Sequence, residues 1–122
     1  MFNFLNPRAG GGVVQMAAEA AIAAAAKGEI ILIDVRDGGE VAASGKAKGA
    51  LHVPLVSLRM RADPSSPECD PAFKAGKPLV LYCASGARSH GAGDMLLQMG
   101  YEDVRNLGGL RDWAMAGGAI ER

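Results

Sequence analysis

The chain is short of several features that particular classes of protein need. Of its 122 residues only Cys69 and Cys83 are cysteines, too few for the disulfide framework of a small secreted domain. Aromatic residues make up 5% of the chain, which leaves little material for stacking nucleobases. Thirteen basic and thirteen acidic residues cancel, so no net charge attracts nucleic acid or an anionic membrane. We therefore expect neither a nucleic-acid partner nor a membrane partner.

Metal ligands and targeting signals are also scarce. The two histidines, His52 and His90, lack the paired Cys/His spacing of a zinc site, so we expect no metal and no other cofactor. The N-terminus has no basic stretch followed by an apolar one. The alanine-rich run at 17–26 is interrupted by Glu19, which predicts a helix and not a signal or a membrane span. A reducing compartment, most simply the cytoplasm, is the expected location.

Strand and helix patterns alternate along the chain after an expected flexible arm at 1–12. Short apolar runs predict strands at 13–14, 30–35, 51–53, 79–82 and 104–107. Helical segments are expected at 16–27, 39–44, 55–61 and 70–75, then from the loop after Cys83 to Gly100, and finally between the glycine pairs 108–109 and 117–118. This alternation predicts one α/β domain over 13–122, with parallel strands joined by right-handed crossovers.

The setting of Cys83 in the sequence predicts a chemical role for this residue, although a lone cysteine at a strand end is more often a buried small hydrophobe. A loop of small residues separates it from the next helix, at the sheet edge where α/β proteins bind ligands. Backbone N–H groups can turn inward there, and the helix dipole adds positive potential. We therefore predict an anion-binding loop that favours the thiolate of Cys83. The loop residues are Ala84, Ser85, Gly86, Ala87, Arg88 and Ser89.

Several motifs, in their order and spacing, resemble those of single-domain rhodaneses, a sulfurtransferase family. The resemblance runs from about Val13 to Glu121. The matching pieces are Leu-Ile-Asp-Val-Arg at 32–36 with Glu40 downstream, Gly-Ala-Leu-His-Val-Pro at 49–54, Tyr-Cys-Ala-Ser-Gly-Ala-Arg-Ser at 82–89, Gly-Tyr at 100–101, and Leu-Gly-Gly-Leu at 107–110 with Trp113. The resemblance implies a rhodanese-like domain with a largely parallel five-stranded sheet and helices on both faces.

The resemblance also implies a reaction. Cys83 would be the nucleophile that takes a sulfane sulfur from a donor such as thiosulfate, forming a persulfide. Cyanide, a small thiol or a protein sulfur acceptor would then remove that sulfur. The loop at 84–89 would bind the substrate and hold the negatively charged persulfide.

The roles of three arginines stay open on sequence grounds. Arg88 either contacts the substrate anion, as a catalytic residue, or ties the loop to neighbouring carbonyls and carboxylates. Arg59 and Arg61 lie in a segment that resembles the rim of the rhodanese pocket, which makes them candidate substrate-binding residues. The alternative for this pair is an exposed basic face.

Other polar residues are expected to support the scaffold. The resemblance gives Asp34, Arg36 and Glu40 structural roles, and we expect Asp34 to accept loop N–H bonds and Arg36 to pair with Glu40. The remaining residues of interest have expected places: His52 packed or hydrogen-bonded at the core edge, His90 solvated in the first helical turn, Trp113 in the core, and Cys69 exposed as a bystander thiol.

Two alternative functions share parts of this pattern. Phosphatases and arsenate reductases also use a cysteine and an arginine around an anion, but in the related phosphatases five residues separate the two. Here four residues separate Cys83 from Arg88, which makes a smaller cradle, and no aspartate stands in the loop as a general acid. Non-catalytic rhodanese-like modules, which would bind partners or carry sulfur, typically lack the cysteine.

Overall fold

The structure is a computed structural model that describes residues 12–122, so the arm expected at 1–12 lies outside the described residues except for Gly12. The strands are β1 (Val14–Gln15), β2 (Ile31–Asp34), β3 (Lys46–Ala47), β4 (Leu51–His52), β5 (Leu79–Cys83), β6 (Val104–Gly109) and β7 (Ile120–Glu121). The α-helices are α1 (Ala18–Ala26), α2 (Gly38–Ser44), α3 (Leu58–Ala62), α4 (Ala87–Gln98) and α5 (Leu110–Met115). Short 3-10 helices cover Leu55–Ser57 and Pro71–Lys74.

Five strands form one parallel sheet in the order β1-β6-β5-β2-β4. This arrangement confirms the expected five-stranded α/β architecture and puts β5 at its centre. Strands β3 and β7 form a separate antiparallel pair, with Lys46 opposite Glu121, that the sequence does not predict. Two-residue strands are too short to carry a periodic pattern, and their pairing joins distant parts of the chain.

Strand alternation divides the core between the two faces of the sheet. Ile33, Leu81 and Cys83 belong to the cluster that includes residues of α3 and α4. Val80 and Tyr82 point the other way, into a cluster with residues of α1 and α5. Successive side chains of a strand point to opposite faces, so these alternating positions are buried on both sides. The expected placement of helices on both faces is therefore confirmed, and the Cys83 thiol faces the side where α4 begins.

The end of β6 supports the loop that follows Cys83. A register shift between Leu81 and Tyr82 brings Gly109 opposite Cys83. A Cβ on Gly109 would overlap the backbone carbonyl of Ala84, so the loop rests directly on the strand backbone. The sequence patterns end this strand at 107 and assign the two following glycines to a helix start. That boundary is wrong because the glycines extend the strand and make room for the loop.

Replacing Gly109 by alanine is expected to destabilise the protein by about 1–3 kcal/mol, since the new methyl group must displace the Ala84 carbonyl. Urea denaturation of the variant and the parent measures the difference. Gly91→Ala is the matched control, because a Cβ at Gly91 meets nothing within 4 Å and alanine favours a helix. Equal stability of the Gly109→Ala variant and the parent would show that the loop does not depend on this contact.

Candidate active site

Cys83 ends the central strand, and hydrogen-bond donors surround its sulfur. The N–H of Gly86 donates to Sγ at 3.0 Å, and the N–H of Ser89 does so at 3.4 Å. The Ser89 hydroxyl lies 3.3 Å from the same sulfur. Gly86 has a φ of +104°, a left-handed conformation that favours glycine and lets the chain turn these groups toward Cys83. The loop predicted from the sequence is thus built around the sulfur.

The surroundings of Cys83 favour its thiolate. Burial is the largest single influence and acts to raise the pKa of the thiol, because the side chain has no exposed surface. Hydrogen bonds from the hydroxyl and N–H of Ser89, and from the N–H groups of Gly86 and Ser85, act in the opposite direction. Together they outweigh burial and lower the pKa of Cys83 below its ordinary value. A lowered pKa at a buried cysteine marks a candidate nucleophile.

Asn106 is a part of the site that sequence reasoning missed. It lies on β6, is almost fully buried, and donates through Nδ2 to the Gly86 carbonyl at 3.0 Å. Its Oδ1 accepts from the Ser89 hydroxyl at 2.8 Å and from the N–H of Gly108 at 3.0 Å. The available signal was an amide inside the strand predicted at 104–107, since such a group is buried only when it has partners.

Arg88 is held by Glu40 in the resting structure. Its two terminal nitrogens donate to the two carboxylate oxygens at 2.7 and 2.8 Å, which joins the first turn of α4 to α2. The hydrogen bonds from Arg88 are the main reason why the pKa of Glu40 falls from 4.5 to about 2. The same bonds are the largest cause of a raised pKa at Arg88, and negative charge at Cys83 acts in the same direction. The guanidinium therefore both fastens the loop and contributes positive potential near the sulfur.

Arg36 pairs with Asp34 and not with Glu40. The expectation of an Arg36–Glu40 pair is therefore wrong: the Arg36 Nη2 lies 2.7 Å from Asp34 Oδ2, and both side chains are buried. Arg36 also donates to the Gly45 carbonyl at 2.6 Å and to the Ser44 hydroxyl at 2.8 Å. As expected, Asp34 accepts a backbone N–H, that of Arg36, at 2.9 Å. This closed cluster joins the end of β2 to the end of α2, a structural arrangement.

The side chains of the two histidines and the tryptophan make contacts other than with the Cys83 sulfur. His52 Nε2 is 2.7 Å from the Arg36 carbonyl oxygen. His90 is exposed in the first turns of α4, with its Nε2 3.7 Å from Asp94. Trp113 is buried and donates to the Ala119 carbonyl at 2.8 Å. All three places agree with the sequence expectations.

The remaining candidate residues are two arginines of α3 and Cys69 in the segment that follows it. Cys69 is half-buried and packs against the core, so the expectation of an exposed thiol is wrong. Its sulfur is 3.7 Å from the Asp70 carbonyl. Arg61 donates to the Asp70 carboxylate at 3.0 Å, which joins α3 to this segment, while Arg59 is exposed. A substrate role for the two arginines stays a prediction.

Within residues 12–122, no group of three or more His, Cys, Asp or Glu side chains is arranged to hold a metal ion. None of the helices described in this range is long and apolar enough to cross a membrane.

Comparisons with known proteins agree with this geometry. A family model for the Rhodanese-like domain matches residues 17–116. A sulfurtransferase from Allochromatium vinosum is 37% identical over 92 residues, covering 73% of this chain and 76% of that protein. The human thiosulfate:glutathione sulfurtransferase is 33% identical over 95 residues, covering 72% and 82% respectively. A solved structure from Rhodopseudomonas palustris, a protein of unknown function described as a possible tyrosine phosphatase, has a TM-score of 0.82 and 34% identity, covering 89% of this chain and 85% of that one.

The chain belongs to the rhodanese-like family. The two curated relatives compared above are both named as sulfurtransferases, which supports the same class of reaction for this chain.

The Glu40–Arg88 pair is expected to add stability that depends on pH. Because the pKa of Glu40 is about 2 in the folded protein and 4.5 ordinarily, its carboxylate stabilises the fold above 4.5, and that contribution is lost as the pH falls toward 2. Glu40→Gln should cost up to about 1 kcal/mol at neutral pH, the range for a partly exposed pair. The difference from the parent should close between pH 4.5 and about 2.

Urea denaturation at a series of pH values measures that difference. Glu29→Gln, at an exposed position in the turn after α1, controls for loss of a negative charge elsewhere. A difference that stays constant across the acid range would show that the Glu40 carboxylate charge is not what stabilises the loop.

Proposed function

We propose that the protein is a sulfurtransferase in which Cys83 carries the transferred sulfur as a persulfide. The observation that carries the proposal is the convergence of the Gly86 N–H, the Ser89 N–H and the Ser89 hydroxyl on one buried sulfur. Such donors stabilise a thiolate, the form of cysteine that attacks sulfur. The loop between β5 and α4 is therefore the proposed active site.

The first proposed step loads the enzyme. The Cys83 thiolate attacks the outer sulfur of thiosulfate, a new S–S bond forms, and the S–S bond of thiosulfate breaks. Sulfite leaves with the electron pair of that bond, and the negative charge of the thiolate moves to the outer sulfur of the persulfide. The N–H groups of the loop at 84–89 would hold this charge, as they would an anion at a helix N-terminus.

The second proposed step removes the outer sulfur from the Cys83 persulfide. An acceptor attacks the outer sulfur, the persulfide S–S bond breaks, and Cys83 leaves as a thiolate. Cyanide would be released as thiocyanate, and a thiolate acceptor would be released as its own persulfide. The name of the human relative, thiosulfate:glutathione sulfurtransferase, supports thiosulfate as donor and a small thiol as acceptor. A protein sulfur acceptor would react through the same step.

Access to the sulfur sets a condition on this mechanism. Cys83 has no exposed surface, whereas the side chains of Ala84, Ser85 and Ala87 above it are exposed. The donor therefore approaches from the loop side, and the loop has to open slightly for the sulfur atoms to meet. Its small side chains leave space for such a movement.

A phosphatase reaction is the competing proposal, because the relative from Rhodopseudomonas palustris is described as a possible tyrosine phosphatase. Two features disfavour it here. Only four residues separate Cys83 from Arg88, and the loop holds no carboxylate that could protonate a leaving group.

Thiosulfate is expected to add one sulfur atom to the intact protein, measured by mass spectrometry with peptide mapping to Cys83. Cyanide should remove that sulfur and release thiocyanate. Cys83→Ser should abolish both, because a hydroxyl does not replace the thiolate, and the near-equal size should preserve the fold. Cys69→Ser, the matched control at the other cysteine, should retain both.

Sulfur found on Cys69, or turnover that survives Cys83→Ser, would contradict the proposed site. The same samples are tested with an aryl phosphate. Hydrolysis as fast as sulfur transfer and dependent on Cys83 would favour the phosphatase proposal instead, and partner binding without either reaction would favour a non-catalytic module.

The proposed contribution of Arg88 to donor binding is tested by two substitutions. Arg88→Ala removes the positive charge near Cys83, and we expect the KM for thiosulfate to rise roughly tenfold, the factor for losing one charged contact. Arg88→Lys keeps the charge without the two-pronged contact to Glu40, so it should restore part of the affinity. Steady-state kinetics with thiosulfate gives the KM, and urea denaturation of the same samples gives the stability. An unchanged KM in both variants would mean that Arg88 is structural only.

A further inference from the structure

The orientation of the Asn106 amide is fixed by its backbone partners. The Gly86 carbonyl can only accept, so the group 3.0 Å from it must be the NH₂ of Asn106. The Gly108 N–H can only donate, so the group 3.0 Å from it must be Oδ1. Neither partner would tolerate a flipped amide. Asn106 therefore presents an oxygen, and not a nitrogen, to the Ser89 hydroxyl at 2.8 Å.

The Ser89 hydroxyl has more acceptors than protons. It carries one proton, and it lies 2.8 Å from Asn106 Oδ1 and 3.3 Å from Cys83 Sγ. The Gly86 carbonyl is a further acceptor at 3.2 Å. A hydroxyl turns about its C–O bond to meet the strongest acceptor, so its direction depends on where the negative charge lies.

We propose that Asn106 is a positioning residue for sulfur transfer, because it holds the Ser89 hydroxyl within reach of Cys83 Sγ. The hydroxyl proton turns to Sγ when that sulfur is negatively charged. It turns to Asn106 Oδ1 when the sulfur is neutral. The inference rests on the proposed function, because the cycle described there creates both conditions. No proton is transferred in this movement; the O–H bond only changes direction.

The two states of the cycle fit these two directions. In the free enzyme the charge lies on Sγ, and the hydroxyl donates to it. In the persulfide the charge lies on the outer sulfur, Sγ is neutral, and the hydroxyl returns to Asn106. Oδ1 keeps its bond from the Gly108 N–H in either state. No buried polar group loses its last partner as the hydroxyl turns, so the change costs little.

A double-mutant cycle separates this role from mere support of the loop. The readout is the pH midpoint of Cys83 alkylation by iodoacetamide in the folded protein, quantified on the isolated Cys83 peptide. The midpoint reports the equilibrium between thiol and thiolate, whereas the maximal rate at high pH reports how accessible the sulfur is. Ser89→Ala should cut the thiolate fraction at about pH 6 roughly tenfold, the factor for a hydrogen bond to a charged group. Asn106→Ala should also raise the midpoint, because losing the group that holds the Ser89 hydroxyl in place outweighs losing an acceptor that competes for its proton. Adding Asn106→Ala to Ser89→Ala should then change the midpoint no further.

The controls keep the result interpretable. Ser66→Ala removes a half-buried serine hydroxyl, which accepts from the Glu68 N–H in the loop after α3, and it should leave the midpoint unchanged. Arg88 is a charged group that interacts with Cys83, Glu40 and Asp37, and Arg88 and these two carboxylates are kept in every variant. If Asn106→Ala does not fold, Asn106→Asp keeps the size of the side chain while removing the donor to Gly86. Its added negative charge raises the midpoint by itself, so this variant supports the inference only if its shift is smaller when Ser89→Ala is also present.

The inference would be overturned if the midpoint shift of the double variant equals the sum of the two single shifts. It would also be overturned if neither folded Asn106 variant shifts the midpoint. Alkylation requires no sulfur transfer, so the double-mutant cycle tests the role of Asn106 even if thiosulfate never transfers sulfur to Cys83. Failure of the proposed function would appear instead as an absent persulfide in a parent protein whose alkylation midpoint is low.

Discussion

A negative charge on a buried sulfur is stable only where hydrogen-bond donors replace the water that it has lost. Gly86 and Ser89 provide those donors to Cys83, and the other features of the site keep them in place. The backbone can turn at Gly86 because that residue tolerates a positive φ, and the turned loop can lie flat because Gly109 has no side chain. Asn106 fixes both ends of this arrangement with one amide group.

The features that could be predicted from the sequence are those that hydrophobic periodicity and local motifs determine. Continuous apolar runs identify strands buried on both faces, and the helices between them imply parallel pairing. The sequence from Cys83 to Ser89 also identifies the loop that surrounds the Cys83 sulfur, because a small-residue turn between a strand and a helix presents N–H groups whatever the rest of the fold does. These features depend on neighbours in the chain, which a sequence displays directly.

The parts that could not be predicted depend on contacts between distant segments. Glu40 was expected to pair with Arg36, four residues away, but it binds Arg88 across the site. Which cation reaches it depends on how α2 and α4 are packed, and both pairings satisfy the same charges. Asn106 lies 17 residues beyond Ser89 in the chain, and its role arises from strand register. The pair of β3 with β7 was missed for the same reason.

The loop has a floor of packed backbone and a rim of exposed side chains, and only the floor holds the sulfur. The floor is backbone packed on backbone at Gly86 and Gly109, where any added side chain would disturb the groups that hold the sulfur. The rim consists of Ala84, Ser85 and Ala87, whose exposed side chains make none of the bonds to the sulfur. In the proposed reaction, changes at the rim would therefore alter which acceptors fit while leaving the bonds to the Cys83 sulfur intact.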